Sequence, residues 1–160
     1  MELGVPEPEA VDTLADLWVE LATGQRAFGS HLFADANRNI IREALARFVV
    51  ADKLIVAREA DSIVGFVMFD VEAGVYQQDV SRGLVMNIYV EPAFRGQGIG
   101  STLLAAAEEQ LRDAGAEIIA LDVMAANEDA LKFYERHGYT LHRVELEKHI
   151  ESDNHSKEKE

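Results

Sequence analysis

Apolar residues at Val11, Leu14, Ala15, Trp18, Leu21 and Ala22 fall on one stripe at helical spacing and predict a helix over 8–22. Pro6 and Pro8 precede the stripe and Gly24 follows it, as start and stop signals do. A second stripe, Ile40, Ile41, Ala44, Leu45 and Phe48, predicts a helix over 38–51. The polar loop between them carries Phe28, His31 and Phe33, aromatic rings suited to anchoring a loop or lining a cleft. Two runs rich in branched and aromatic residues, 53–58 and 62–71, predict strands. In the second, both alternate sets, Ile63/Val67/Phe69 and Val64/Phe66/Met68, are apolar, so both faces of that strand are expected to be covered.

The pattern then changes character. Residues 84–90 read as a strand that ends near Pro92, because proline cannot donate to a sheet ladder. From Ile99, apolar positions at 99, 103, 104, 107 and 111 give a helix that ends behind Arg112 at Gly115. Residues 117–123 form the next strand, and strand, helix and strand in that order predict a parallel pair, 84–90 beside 117–123. Asn127 caps a last helix, with Glu128 and Asp129 in its first turn and Gly138 at its end. Residues 139–149 read as a final strand. The expectation is a mixed α/β fold, a central sheet of about six strands with helices on both faces. Residues 1–150 are expected to form one domain, followed by a polar, acidic tail over 151–160.

Composition narrows the function. The formal net charge is −14, from 15 Lys and Arg against 29 Asp and Glu. Nucleic-acid binding relies on basic patches, so no nucleic-acid partner is expected. Such an acidic surface is similar to that of cytosolic proteins from salt-loving organisms. There is no cysteine, hence neither a disulfide nor a thiol nucleophile. No run of 18 apolar residues and no basic, then apolar N-terminal stretch is present, so a cytoplasmic protein with no membrane partner is expected. The histidines lack metal-ligand spacing, so no metal is expected.

Gly96, Gly98 and Gly100 sit where a helix begins. The first N–H groups of a helix lack internal partners, its dipole is positive there, and glycine lets a ligand approach the backbone. The stretch is suited to a phosphate group. A P-loop needs a Gly-Lys-Ser/Thr ending, whereas Ser101-Thr102 follows the last glycine without a Lys. A dinucleotide turn needs G-x-G-x-x-G, and Leu103 stands where its third glycine belongs, although Asp122 sits about where a ribose-binding acid would.

The same residues resemble the GNAT superfamily of N-acetyltransferases. Its pyrophosphate loop reads Arg/Gln-x-x-Gly-x-Gly/Ala, which Arg95-Gly96-Gln97-Gly98-Ile99-Gly100 fits throughout. A second block, Asn127, Ala130, Phe133-Tyr134 and Gly138-Tyr139, follows in the family's order, and the resemblance covers roughly 54–149. It implies transfer of an acetyl group from acetyl-CoA to a primary amine, directly and in a ternary complex. It implies that amides of residues 95–100 cradle the pyrophosphate, with Arg95 adding a charged contact. It implies that backbone groups of Ile88, Tyr89 and Val90 bond the pantetheine arm and the thioester carbonyl, in a gap between the two parallel strands, and that Asn127 touches that arm. Tyr134 stands in the family's acid position. Leu121-Asp122-Val123 stands where some members carry Leu-Glu-Val, so Asp122 ranks first as base and Glu91 second. The alternative is a non-catalytic acyl-CoA-binding module on the same fold. Many members have two strands after the last helix, and this chain has room for one. That strand, with Val144 and Leu146 on one face, would lie near a sheet edge, and a homodimer that strengthens with salt is expected.

Overall fold

The computed structural model describes residues 1–151. The expected tail therefore lies outside the described residues, Glu151 excepted. Five strands form one sheet: β1 (Glu2–Gly4), β2 (Leu54–Glu59), β3 (Ser62–Val71), β4 (Arg82–Val90) and β5 (Ile118–Ala120). They lie side by side in chain order. The pairs from β1 to β4 are antiparallel, and β4 and β5 are parallel as expected. Helices α1 (Val11–Arg26) and α2 (Arg38–Val50) precede β2, α3 (Ile99–Asp113) bridges β4 and β5, and α4 (Glu128–Arg136) follows β5.

Both faces of the sheet are packed, which is why β3 is apolar on both sides. Leu14, Leu17 and Trp18 of α1 and Leu45 and Val49 of α2 cluster with Leu54, Val56, Phe66, Met68 and Tyr89 on one face. Ile99, Leu103, Leu104, Ala107 and Leu111 of α3 cluster with Val64, Val67, Phe69 and Val85 on the other, where Phe133 and Tyr134 of α4 also pack. Two bulges decide which side chain goes where. The β2–β3 register passes from Ala57↔Gly65 to Arg58↔Ile63, so Val64 is an extra residue and joins Val67 and Phe69 instead of Phe66. The β3–β4 register passes from Met68↔Asn87 to Phe69↔Val85, so Met86 is the extra residue there. Val85, Ile88 and Val90 consequently share the α3 face, while Tyr89 faces α1.

Four expectations are corrected. The sheet has five strands, not about six. β1 was not foreseen, since three residues give no alternation to read. α1 runs on to Arg26 through Gly24, because an interior glycine weakens a helix by only about 1 kcal/mol. Residues 139–149 form no strand, although their alternation suits one: no strand pairs with them among the described residues, and an unpaired strand has no ladder to stabilise it.

Gly65 sets the closeness of β3 to β4. A Cβ there would stand 2.8 Å from the Tyr89 carbonyl oxygen, a backbone atom. Gly65→Ala is expected to lower folding stability by about 1–3 kcal/mol, the usual effect of overpacking, read from the midpoint of urea unfolding.

Candidate functional site

Parallel pairing of β4 and β5 involves Arg82↔Ile118, Gly83↔Ile119 and Leu84↔Ala120, and no further residues. Beyond Ala120 the chain leaves the sheet, while β4 continues to Val90. The gap that opens at the C-terminal ends is a small cleft lined by Gln25, Val85, Met86, Asn87, Ile88, Leu121, Asp122 and Tyr134. The Met86 bulge lies in its wall. The loop after α1 approaches the chain that follows β5: a Cβ on Gly29 would be 3.7 Å from the Met124 side chain.

Strand alternation sorts the three expected backbone contacts. The Glu91 N–H donates to Val64 O on β3, at 2.8 Å. Two residues back, the N–H and C=O of Tyr89 also point to β3, and those of Ile88 and Val90 point into the gap. Tyr89 is thus corrected: its polar backbone groups belong to the antiparallel ladder. The Val90 carbonyl accepts from Arg95 Nε at 2.8 Å, and the guanidinium lies 5.3 Å from the Tyr89 ring centre. The Arg95 side chain is therefore turned back onto β4, away from the loop it starts. What the gap offers is the N–H of Val90 and both polar groups of Ile88.

The glycine loop is built for approach. Gly96 has φ +78° and Gly98 φ +83°, left-handed values that favour glycine, and Gly98 is the N-cap of α3. The first backbone bond back from α3 runs from Thr102 N to Gly98 O, and the amides of residues 96–101 meet no acceptor among the described residues. No atom lies within 4 Å of where a Cβ would stand on Gly96 or Gly98. Gly100 is different, with Phe133 of α4 at 3.5 Å from such a Cβ. Gln97 is exposed and Ile99 is buried in the α3 core.

α4 presents Tyr134 to the cleft and Phe133 to Gly100, the two rings meeting edge to face at 5.2 Å. Burial pushes the Tyr134 hydroxyl up to about 12, which keeps it protonated. Asn127 caps α4 as foreseen, its side-chain oxygen accepting from Ala130 N at 3.1 Å. Asp122 is exposed at the cleft, on the same lining as Tyr134. Glu91 is not on that lining; it stands past the far end of β4, where the chain enters a short turn at Pro92–Phe94. Gln25 and the Met86 bulge were missed. A longer α1 would have brought Gln25 into view, and the bulge has no sequence signal here. Among the described residues no group of three or more metal-ligating side chains comes together, and no helix is long and apolar enough to cross a membrane.

A splayed parallel pair, a glycine-rich helix start and a tyrosine on the helix after β5 together frame an acyltransferase fold. The family model described as "Acetyltransferase (GNAT) family" matches residues 14–139, and the chain belongs to that family. It is 34% identical over 131 residues to a mycothiol acetyltransferase of Propionibacterium freudenreichii, covering 79% of this chain and 40% of that protein. It is 49% identical over 57 residues to an aminoalkylphosphonate N-acetyltransferase of Salmonella typhimurium, covering 36% of this chain and 37% of that protein. The chain thus spans about two fifths of the length of these curated relatives. In structure it is similar to the PaiA N-acetyltransferase of Thermoplasma acidophilum in complex with coenzyme A, with TM-score 0.75, 19% identity, and coverage of 90% of this chain and 92% of that one.

The raised Tyr134 hydroxyl predicts an alkaline limb of stability. Unfolded tyrosine ionises near pH 10 and the folded residue at about 12, so its contribution is fully present below pH 10 and is lost as pH rises through 12. The loss is on the order of 3 kcal/mol. Tyr134→Phe is expected to flatten that part of the fall in unfolding free energy between roughly pH 10 and 12, read by urea denaturation of both proteins across that range.

Proposed function

We propose that this protein transfers the acetyl group of acetyl-CoA to a primary amine, directly and without a metal. The observation that carries the reading is the coincidence, around the C-terminal end of β4, of free strand backbone, a bare helix start and a half-buried, protonated tyrosine. The amides of residues 96–100 receive the pyrophosphate, where the helix dipole adds roughly half a positive charge. The gap-facing groups of Ile88 and Val90 bond the pantetheine arm. An amide aimed at the thioester carbonyl also stabilises the tetrahedral oxyanion, by about 2.7–4 kcal/mol per donor. Tyr134 donates a proton toward the departing thiolate, and a neutral hydroxyl is the form that can do so.

The amine arrives as an ammonium with a pKa near 10.4 and loses a proton before it attacks. Asp122 is the carboxylate on the cleft lining and takes the base role directly or through water. Glu91 is the second candidate, and its place past the end of β4 makes it the weaker one. The acid surface favours cationic acceptors, and a cytoplasmic setting suits the acetyl-CoA supply. The non-catalytic reading has no observation in its favour: a binding module has no use for a buried hydroxyl at the reacting end of the gap.

Tyr134→Phe is expected to lower kcat by about 10²–10⁴-fold and to leave acetyl-CoA affinity nearly unchanged, in a thiol-release assay over an amine panel. Unaltered turnover would sink the acid role.

Gly98→Asn separates binding from folding. Asn tolerates the left-handed backbone of that position, and its side chain enters the space above the loop. Folding stability is expected to change by less than about 1 kcal/mol while acetyl-CoA affinity falls at least about tenfold, by calorimetry. Unchanged affinity would refute the loop assignment.

A further inference from the structure

The helix that carries Tyr134 has little of its own to hold it. α4 is nine residues long, and none of them is fully buried. Helices shorter than about 12–15 residues are marginal without tertiary support. Tyr134 nonetheless lines the cleft, so its direction is fixed from outside the helix.

Three ties join α4 and its C-terminal end to α3. At the start of α3, a Cβ on Gly100 would meet Phe133 at 3.5 Å, and Ser101 Oγ lies 3.0 Å from His137 Nε2. Two turns further along α3, about 10 Å, the Tyr139 hydroxyl donates to Glu108 at 2.7 Å. This third tie reaches Tyr134 directly. Gly138, with φ +90°, turns the chain after His137, so that Gly138 N–H donates to Glu135 O and Tyr139 N–H to Tyr134 O, each at 3.0 Å. A helix closed in this way brings the side chain of residue 139 onto that of residue 134. The two rings meet edge to face, their centres 5.8 Å apart and their planes at 74°. Phe133 meets Tyr134 at 5.2 Å and 78°. The Tyr134 ring is thus held between two aromatic neighbours in the geometry such rings prefer.

A helix end of this kind asks of residue 139 only an apolar side chain. The hydroxyl is surplus to the cap, and it makes a short, charge-assisted bond to a carboxylate. Among the described residues, Tyr139 is the one hydrogen-bond or ion-pair partner of Glu108. A half-buried carboxylate with no cation beside it keeps part of its desolvation cost, so the pairing is a poor choice for stability alone. Burial first, then the Glu108 carboxylate, push the Tyr139 hydroxyl far above the usual tyrosine range, so it remains a donor at any pH where the protein is folded.

We propose that Tyr139 is a positioning residue for Tyr134 and that Glu108 is its anchor: the bond between them fixes the Tyr139 ring, and that ring sets the direction of the Tyr134 hydroxyl in the cleft. The purpose of the joint rests on the proposed function, in which Tyr134 is the acid. A group misplaced by about 1 Å can lower a rate by about 10²-fold. α3 bears the glycine loop at its start, so the joint also fixes the acid relative to the helix that receives the cofactor.

Glu108→Leu leaves every ring in place and removes the anchor. It is expected to lower kcat by about tenfold with KM for acetyl-CoA within about twofold of wild type, in the thiol-release assay. Tyr139→Phe, which removes one oxygen, is expected to do the same and serves as the second variant should Glu108→Leu not fold by circular dichroism. Glu108→Gln keeps an acceptor oxygen and is expected to restore kcat to within about threefold of wild type. Added to Tyr134→Phe, Glu108→Leu is expected to lower kcat no further, because the acid it orients is gone. Nuclear magnetic resonance of ring-labelled tyrosine reads the geometry without turnover: the Tyr134 resonance, assigned by its loss in Tyr134→Phe, is expected to shift in Glu108→Leu and to return in Glu108→Gln. An unmoved Tyr134 resonance, a rise in KM for acetyl-CoA without a fall in kcat, or an equal loss in the Tyr134→Phe background each overturns the proposal. Unaltered turnover of Tyr134→Phe alone would overturn the acid role, and with it the purpose of the joint, whereas the resonance still decides whether Glu108 orients the ring.

Discussion

The parallel ladder between β4 and β5 lasts three residues, and the cleft depends on where it stops. A backbone N–H or C=O turned away from water has to be paired, at a cost of about 1–3 kcal/mol when it is not. Ile88 and Val90 direct such groups into the gap past Leu84, so the fold carries an open demand at that place. Two local features maintain it. The Met86 bulge changes the course of β4 just as pairing ends. On the other side the chain after Ala120 turns early, through Met124 O and Asn127 N, to reach the cap of α4. The demand in the gap would not exist in a sheet whose strands stayed paired, whereas the free amides of α3 follow from helix geometry alone.

Much of this was legible because it rests on local rules. The stripes of α1, α2 and α3 are long and periodic, and their observed bounds differ from the expected ones mainly at frayed ends. Asn127 capped α4 as its residue type requires. Gly96 and Gly98 took positive φ where the glycine spacing asked for it. The covered β3 was read correctly from its two apolar faces, but the side of Val64 was not, since a bulge shifts the alternation by one residue and leaves no mark in composition. Tyr89 was assigned to the gap for a related reason: which backbone groups face outward follows from the register. Glu91 is close to the cleft in sequence and stands just past the end of β4, outside the cleft lining. The arm at 139–150 shows the opposite failure. Its alternation is strand-like, but strand formation is a property of a pair.

Net charge and local charge act at different ranges. At physiological salt, charges more than about 8 Å apart on the surface are largely screened. The −14 of the chain therefore governs solution behaviour and the approach of partners more than it governs contact at the loop. There one cationic side chain and a hydrogen-bonding imidazole stand nearer. Arg136 lies 6.0 Å over the Phe133 ring, which itself sits on Gly100, and His137 Nε2 lies 3.0 Å from Ser101 Oγ. With the amides at the start of α3, these offset the repulsion that an anion would otherwise meet.

The buried tyrosine raises a question of energy matching. A tyrosine at about 12 facing a free thiolate whose acid has a pKa near 8.5 is about 3.5 units too weak a donor, roughly 5 kcal/mol uphill for full transfer. Acidifying the tyrosine would close that gap, and nothing around it does so: burial is the one cause acting on its hydroxyl, and it acts upward. Under the proposed function, the gap closes from the other side. Burial disfavours whichever partner is charged, and beside the half-buried tyrosine the departing thiolate is the charged one. Desolvation that lifts tyrosine by two units lifts the thiol as well, so the difference between them shrinks while both values rise. The cleft then favours a neutral tyrosine and a neutral thiol over either anion. A site built this way gains by excluding water.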